Sequence, residues 1–190
     1  SDYLRATILG SGSFMSYAWD PCNPGDTWPS PNNFSNAWIL RACSGMYGTI
    51  DVSTRVSEFL DSQISEQMTV NYWQHDSSEA QNFRVPDDLD DTAYTFSALQ
   101  RFSQSIDRPS AQKLVAAIAK CEVRPGGPYR TWFTASKSSG WQDIELAVNA
   151  SVAMALKDMD IELGQLNEYI LGQINPGDLV SRYYPFWHTI

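Results

Sequence analysis

Four carboxylates fall within five positions in the run Pro86-Asp87-Asp88-Leu89-Asp90-Asp91-Thr92-Ala93, directly before an apolar, helix-like stretch. Carboxylates this close repel one another, and the repulsion lifts the pKa of at least one toward neutral pH, where it can serve as a general acid. Two other uses fit the same residues. Asp is a favoured helix N-cap, and a first turn stabilises acidic side chains by roughly 0.3–1 kcal/mol each, although one turn has few free amides for four carboxylates. Clustered oxygens also suit a divalent cation, with Mg²⁺ the candidate ion; nothing else in the chain calls for a cofactor.

The remaining reactive residues are scattered. Only two histidines occur, His75 and His188, and no Ser or Cys lies in a nucleophile-elbow context. Gly10-Ser11-Gly12-Ser13 and Gly126-Gly127 match neither phosphate-binding fingerprint. Cys22, Cys43 and Cys121 have no paired spacing, so a disulfide framework and a structural zinc site are not indicated, and the three read as buried small side chains. Arg84 and Arg130 lie close to the acidic loops in register and are candidate partners that would keep aspartates ionised.

A length of 190 residues with 43% hydrophobic and 18% charged content supports one domain with a substantial core, over residues 1–190. The net charge of −9 excludes a nucleic-acid backbone as the main partner. No apolar run approaches the 18 residues of a transmembrane helix, and the first 30 residues lack a secretory pattern, so the expected compartment is the cytoplasm. Two Asn-x-Ser sequons, at Asn33 and Asn149, fall where helix starts are expected and read as capping residues.

The elements that would position the acidic run emerge from an internal repeat. Residues 35–42, 91–98 and 148–155 are related, at spacings of 56 and 57 residues, each with a capping-type Asn or Thr followed by Ala and small or apolar residues. An aromatic cluster precedes each: Phe14 to Trp19, Tyr72-Trp73, and Tyr129 to Phe133. Amphipathic stretches at 52–64, 111–121 and 161–174 lie between them. The pattern predicts an all-α chain of three helical hairpins, with repeats near 1–50, 51–108 and 109–175. Inner helices should start near 33–36, 90–92 and 148–149. A sheet is disfavoured, because no period-two run occurs and Pro and Gly gather in the loops, the longest at 21–31. Trp19, Trp73 and Trp132 read first as core packing that staples loops over helix ends.

These residues resemble a known family. Asp88-Leu89-Asp90-Asp91-Thr92-Ala93 looks like the DxDDTA motif of squalene-hopene cyclases and class II terpene cyclases. Phe59-Leu60-Asp61-Ser62-Gln63 with Asn71-Tyr72-Trp73 is similar to that family's Gln…Trp repeat, with a longer interval and without the usual glycine. Gly126-Gly127-Pro128-Tyr129-Arg130-Thr131-Trp132-Phe133 resembles a loop of the prenyltransferase and squalene-oxidase repeat. The resemblance implies part of an α/α-toroid and a proton-initiated cyclisation of an isoprenoid. Asp90 would be the acid, flanked by Asp88 and Asp91, and Tyr72, Trp73, Tyr94, Trp132, Tyr129 and Trp38 would shield the cation. Three hairpins make about half a toroid, which implies an open arc, a fragment, or a subunit completed by a second copy or a further domain. The zinc ligands of protein prenyltransferases and the metal-binding motif of class I terpene synthases have no match.

Two other readings fit a toroid. A glycoside hydrolase or polysaccharide lyase would pair Asp90 with Asp143 or Glu145 across a groove. A binding or scaffold module would use the aromatic face without catalysis.

Overall fold

The computed structural model describes residues 2–20, 22–103, 106–134, 140–174, 181 and 183. Their order is α1 (Asp2–Thr7), β1 (Tyr17–Asp20), β2 (Asn23–Pro29), α2 (Asn33–Cys43), α3 (Ile50–Ser62), α4 (Ser78–Asn82), α5 (Leu89–Ser103), α6 (Arg108–Ala119), α7 (Leu146–Asp158) and α8 (Gly164–Ile174). The described chain is thus mostly helical. The expected inner helices are α2, α5 and α7, and the expected amphipathic stretches are α3, α6 and α8.

The helix α5 sits in the middle, packed against α2 on one side and α7 on the other, while α3 lies on α2 and α8 on α7. Its composition explains the placement. Ten of its fifteen residues are buried, and they include Thr92, Ala93, Thr95, Ser97 and Ala98, small side chains that let neighbouring helices approach closely. Ala93 and Phe96 join a core with Leu114 and Ile118 of α6 and Val148, Val152 and Ala155 of α7. Ala98 and Leu99 join a second core with Ala37 and Leu40 of α2 and Val52, Val56 and Leu60 of α3. A helix serving two cores cannot be apolar on one stripe alone.

The repeat in the sequence has a physical cause. Asn36 accepts a hydrogen bond from the Phe14 N–H (2.7 Å) and donates to the carbonyls of Phe14 (3.2 Å) and Asn32 (2.8 Å). One repeat pair away, Asn149 accepts from the Tyr129 N–H (2.8 Å) and donates to the carbonyls of Tyr129 (3.0 Å) and Glu145 (2.8 Å). Between them, the Thr92 hydroxyl accepts from the Val70 N–H (2.9 Å) and donates to the Asp88 carbonyl (2.6 Å). All three side chains are fully buried. Each ties the first turn of an inner helix to its own preceding loop, which is otherwise a stretch of buried backbone polar groups without partners.

A second set of bonds laces each loop to the preceding inner helix. The Asn33 N–H donates to Tyr72 O and the Leu89 N–H to Thr131 O, both at 2.8 Å, while Gln74 and Phe133 donate to the carbonyls of Pro31 and Asp87. At the opposite end of the inner helices, Arg41 of α2 reaches past Ser97 of α5, bonding it on the way, to pair with Asp158 of α7 at 2.8 Å. The Asp158 carboxyl is pushed up by burial, but its bonds from Ser97 and Arg41 and the charges of Arg41 and Arg101 leave it below the usual range.

Several expectations require correction. The chain is not all-α: β1 and β2 form an antiparallel hairpin that starts before the long Pro-rich loop and runs into it. The Asp20 carboxylate nucleates its turn, accepting from the Cys22 N–H (2.8 Å) and Asn23 Nδ2 (3.3 Å). This ribbon buries no face, so it lacks the apolar alternation that marks a strand. Trp19 lies on it and is 57% exposed, so it is not core packing. Cys22 is exposed, unlike Cys43 and Cys121. The sequon asparagines are not N-caps. Asn32 caps α2 and Glu145 occupies the N-cap of α7, while Asn33 and Asn149 are buried and spend their amides on loop carbonyls.

Candidate active site

The acidic run divides at the start of α5. Asp87 turns away, its two oxygens accepting from the Thr69 hydroxyl and from Asn71 Nδ2 (3.1 Å). Asp88 is the N-cap, with Oδ1 accepting from the Asp91 N–H at 2.8 Å. Capping is therefore real, but it accounts for one carboxylate. Asp88, Asp90 and Asp91 are 4%, 9% and 3% exposed, so the three sit in one buried turn rather than in solvent.

Burial dominates their electrostatics. It pushes the Asp88 carboxyl up to about 7, against the pull of hydrogen bonds from Asp91 and from the amides of residues 90 and 91. Asp91 is pushed well above the carboxylate range by burial and by the adjacent charges of Asp88, Asp90 and Asp87. Both carboxyls are thereby biased toward the protonated form, Asp91 the more so, because Asp88 accepts a backbone N–H while Asp91 Oδ1 has no hydrogen-bond partner among the described residues.

All three carboxyls line one cavity of about 390 Å³, within the size range of small-ligand sites. Tyr72, Trp73 and Trp132, all expected to bind substrate, share its wall. Phe34, Tyr183, Val85, Thr131 and Val148 complete it and were not expected. Their positions follow from the lacing. The bonds that pin residues 70–74 to the start of α2 and residues 129–133 to the start of α5 bring Tyr72-Trp73 and Thr131-Trp132 to the same rim as Phe34 and the aspartates. The repeat register carried a signal for Phe34, which stands one repeat before Asp90; nothing local in the sequence singles out Tyr183.

The other three aromatic candidates lie off this wall. Trp38 stacks on Tyr94 (centroids 5.1 Å, interplanar 25°), and Tyr94 meets Phe34 edge-on at 4.9 Å, so this pair backs Phe34 from α2 and α5. Tyr129 is a correction. It is 3% exposed, packed in the core beside Leu114, Val148 and Leu166, because its backbone is the one that Asn149 clasps.

No group of three or more His, Cys, Asp or Glu side chains converges as a metal-ligand set among the described residues. The acidic run does not gather for Mg²⁺, since Asp87 faces Thr69 and Asn71 and Asp88 is turned to its cap. Arg84 and Arg130 form no ion pair with the run among the described residues; Arg130 instead donates to the Lys120 carbonyl at 2.9 Å. Nor does Asp143 face Asp90 across a groove. It stands behind Trp132, accepting from the indole Nε1–H (2.9 Å) and the Tyr183 hydroxyl (3.0 Å). His188 lies outside the described residues. His75 donates its backbone N–H to the buried Gln63 side chain, a bond that secures the loop carrying Trp73. Among the described residues no helix is long and apolar enough to cross a membrane.

The fold of this chain is similar to that of a type II terpene cyclase. Three solved structures share it, all of the type II terpene cyclase MstE from Scytonema. An arginine-to-alanine variant with its substrate geranylgeranyl dihydroxybenzoate superposes with a TM-score of 0.60 at 16% identity, over 88% of this chain and 47% of that one. An aspartate-to-alanine variant with the product merosterolic acid A (TM-score 0.59, 16% identity) and an aspartate-to-asparagine variant with substrate (0.59, 17%) cover the same shares. This chain spans about half the length of those proteins. No protein-family model and no curated sequence matches it.

Proposed function

We propose that this chain is a class II terpene cyclase-like protein whose three helical hairpins form part of an α/α-toroid, and that it starts the cyclisation of an isoprenoid by protonation. The observation that carries the reading is the burial of three carboxyls in one helical turn on the wall of an aromatic cavity. A dry site keeps a carboxyl protonated and offers little competing water. Aromatic faces stabilise a cation without capturing it.

Asp90 is the proton donor in this reading. As a residue it is the most exposed of the three, and burial biases the Asp88–Asp91 pair beside it toward holding a further proton. The O–H bond of Asp90 breaks as the alkene π pair forms a C–H bond at the less substituted carbon of the terminal double bond, leaving a carboxylate on Asp90 and a tertiary carbocation at the dimethyl-substituted carbon. The next alkene attacks that cation to close a ring, and the sequence ends when a proton is lost or water adds. The Asp90 carboxylate, left near the cation, is stabilised by the proton on Asp91 and by the N-terminal dipole of α5.

The test is a product assay with wild type and Asp90→Asn. Each is incubated with farnesyl diphosphate, geranylgeranyl diphosphate, squalene and a geranylgeranylated aromatic acid, and extracts are analysed by gas chromatography and mass spectrometry. We expect a cyclic product from the wild type and at least a hundredfold less from Asp90→Asn, with an unchanged circular dichroism spectrum. A cyclic product formed equally by both proteins would remove Asp90 from the reaction. No product from any substrate would leave a shared fold alone.

A further inference from the structure

Behind the cavity wall, Asp143 uses both carboxylate oxygens on one task. Oδ1 accepts from Trp132 Nε1–H at 2.9 Å, and Oδ2 accepts from the Tyr183 hydroxyl at 3.0 Å. The backbone of Asp143 is fixed independently, because its carbonyl accepts from the Thr131 N–H at 2.9 Å. The two rings it holds meet edge-on at 5.8 Å, and Trp141 abuts Trp132 at 4.6 Å. Trp132 is 9% exposed, and both Trp132 and Tyr183 line the cavity that Asp143 itself does not reach. A carboxylate at the indole N–H end also polarises the ring toward a more negative π face, the feature that attracts cations.

We propose that Asp143 is a positioning residue that fixes Trp132 and Tyr183 in the cavity wall and makes the Trp132 ring a binding site for tertiary or quaternary aliphatic cations. The inference rests on the cyclase reading only for the natural ligand, a carbocation; the site itself is defined by geometry. Trp132 sits between Thr131 and Phe133, whose backbones are pinned to Asp143, Leu89 and Asp87, and the clasp of Asp143 removes the rotamer freedom that a large ring would otherwise retain. Tyr183 is the second arm. Its hydroxyl, pushed up to about 12 by burial and by its bond to Asp143, remains a donor at every pH of interest.

The experiment needs no turnover. Hexyltrimethylammonium and its neutral isostere 2,2-dimethyloctane are titrated into the protein, and binding is read by tryptophan fluorescence and confirmed by calorimetry. We expect the wild type to prefer the cation by about tenfold. Asp143→Ala should reduce that preference to within about twofold while the affinity for the neutral isostere changes little. Asp143→Asn retains an acceptor for the indole N–H but no charge, and it should keep most of the preference. Tyr183→Phe, which removes one arm, should fall between them. Loss of the preference in Asn as fully as in Ala would overturn the positioning role in favour of simple charge. An unchanged preference in Asp143→Ala, or none in the wild type, would overturn the site. Cation preference with the expected variant order in a protein that makes no cyclic product would support the site while removing the reaction, so the two failures are distinguishable.

Discussion

At the residue scale, the acidic run is a case of one segment serving two purposes. Asp88 is a helix cap and Asp87 a loop anchor, as bland chemistry predicts, yet burial of the cap beside Asp91 biases the pair toward the protonated form. That pair makes stability depend on pH in an unusual direction. A carboxyl whose folded pKa is raised binds its proton more tightly in the folded state. Its contribution is full below the unfolded value of about 4 and is lost as pH rises through the folded value, about 7 for Asp88. Between pH 5 and 7 the wild type should therefore lose stability as pH rises. Asp91→Asn, which cannot ionise and can still donate to Asp88, should flatten that slope and raise the melting temperature at pH 7 by a few degrees. Thermal unfolding followed at half-unit pH steps decides it, and a wild-type slope of opposite sign would show that the pair is ionised in the fold. The aspartates were visible in the sequence because composition and spacing alone made them anomalous. Tyr183 and Asp143 were not legible as a unit, because forty residues separate them and only the fold joins them to Trp132.

At the element scale, the three inner-helix starts are built alike, and the pinning side chains explain why the repeat could be read at spacings of 56 and 57. Asn36 and Asn149 each make three bonds to backbone, whereas Thr92 makes two. Removing such a side chain strands buried backbone groups, each at a cost of about 1–3 kcal/mol when unsatisfied. Asn149→Ala should therefore destabilise the protein by about 3 kcal/mol in chemical denaturation, and Thr92→Val, which keeps the shape, by about 2 kcal/mol. Losses under 0.5 kcal/mol would mean that the loops hold without them. The sequence presented these residues as capping-type Asn or Thr, with Asn149 also in an Asn-x-Ser sequon, and their role was hidden because their partners include backbone groups about twenty residues upstream. The β1–β2 hairpin escaped detection for the converse reason. An exposed ribbon held by its own hydrogen bonds and an Asp20 turn has no buried face to impose a period.

At the scale of the whole molecule, the cavity is a joint property of elements far apart in the chain. Its wall takes Phe34 from α2, Asp90 and Asp91 from α5, Val148 from α7, and Trp73 and Trp132 from two loops that are themselves laced to α2 and α5. A ligand held there bridges the starts of α2, α5 and α7, the helices on both sides of α5. Binding should then stabilise the molecule as a unit rather than one hairpin. Asp90→Asn provides the means, since in the proposed reaction it retains the cavity and loses the proton. Geranylgeranyl diphosphate at a hundred times its dissociation constant should add about 2.7 kcal/mol of stability. For a chain of 190 residues that corresponds to a rise in melting temperature of about 5–10 °C, seen in calorimetry as one transition that moves without splitting. A transition that splits on adding ligand would mean that the hairpins unfold independently and that the ligand is held by only one of them. No shift for this prenyl chain, with the protein otherwise cooperative, would exclude it as the occupant of a cavity bounded by all three inner helices.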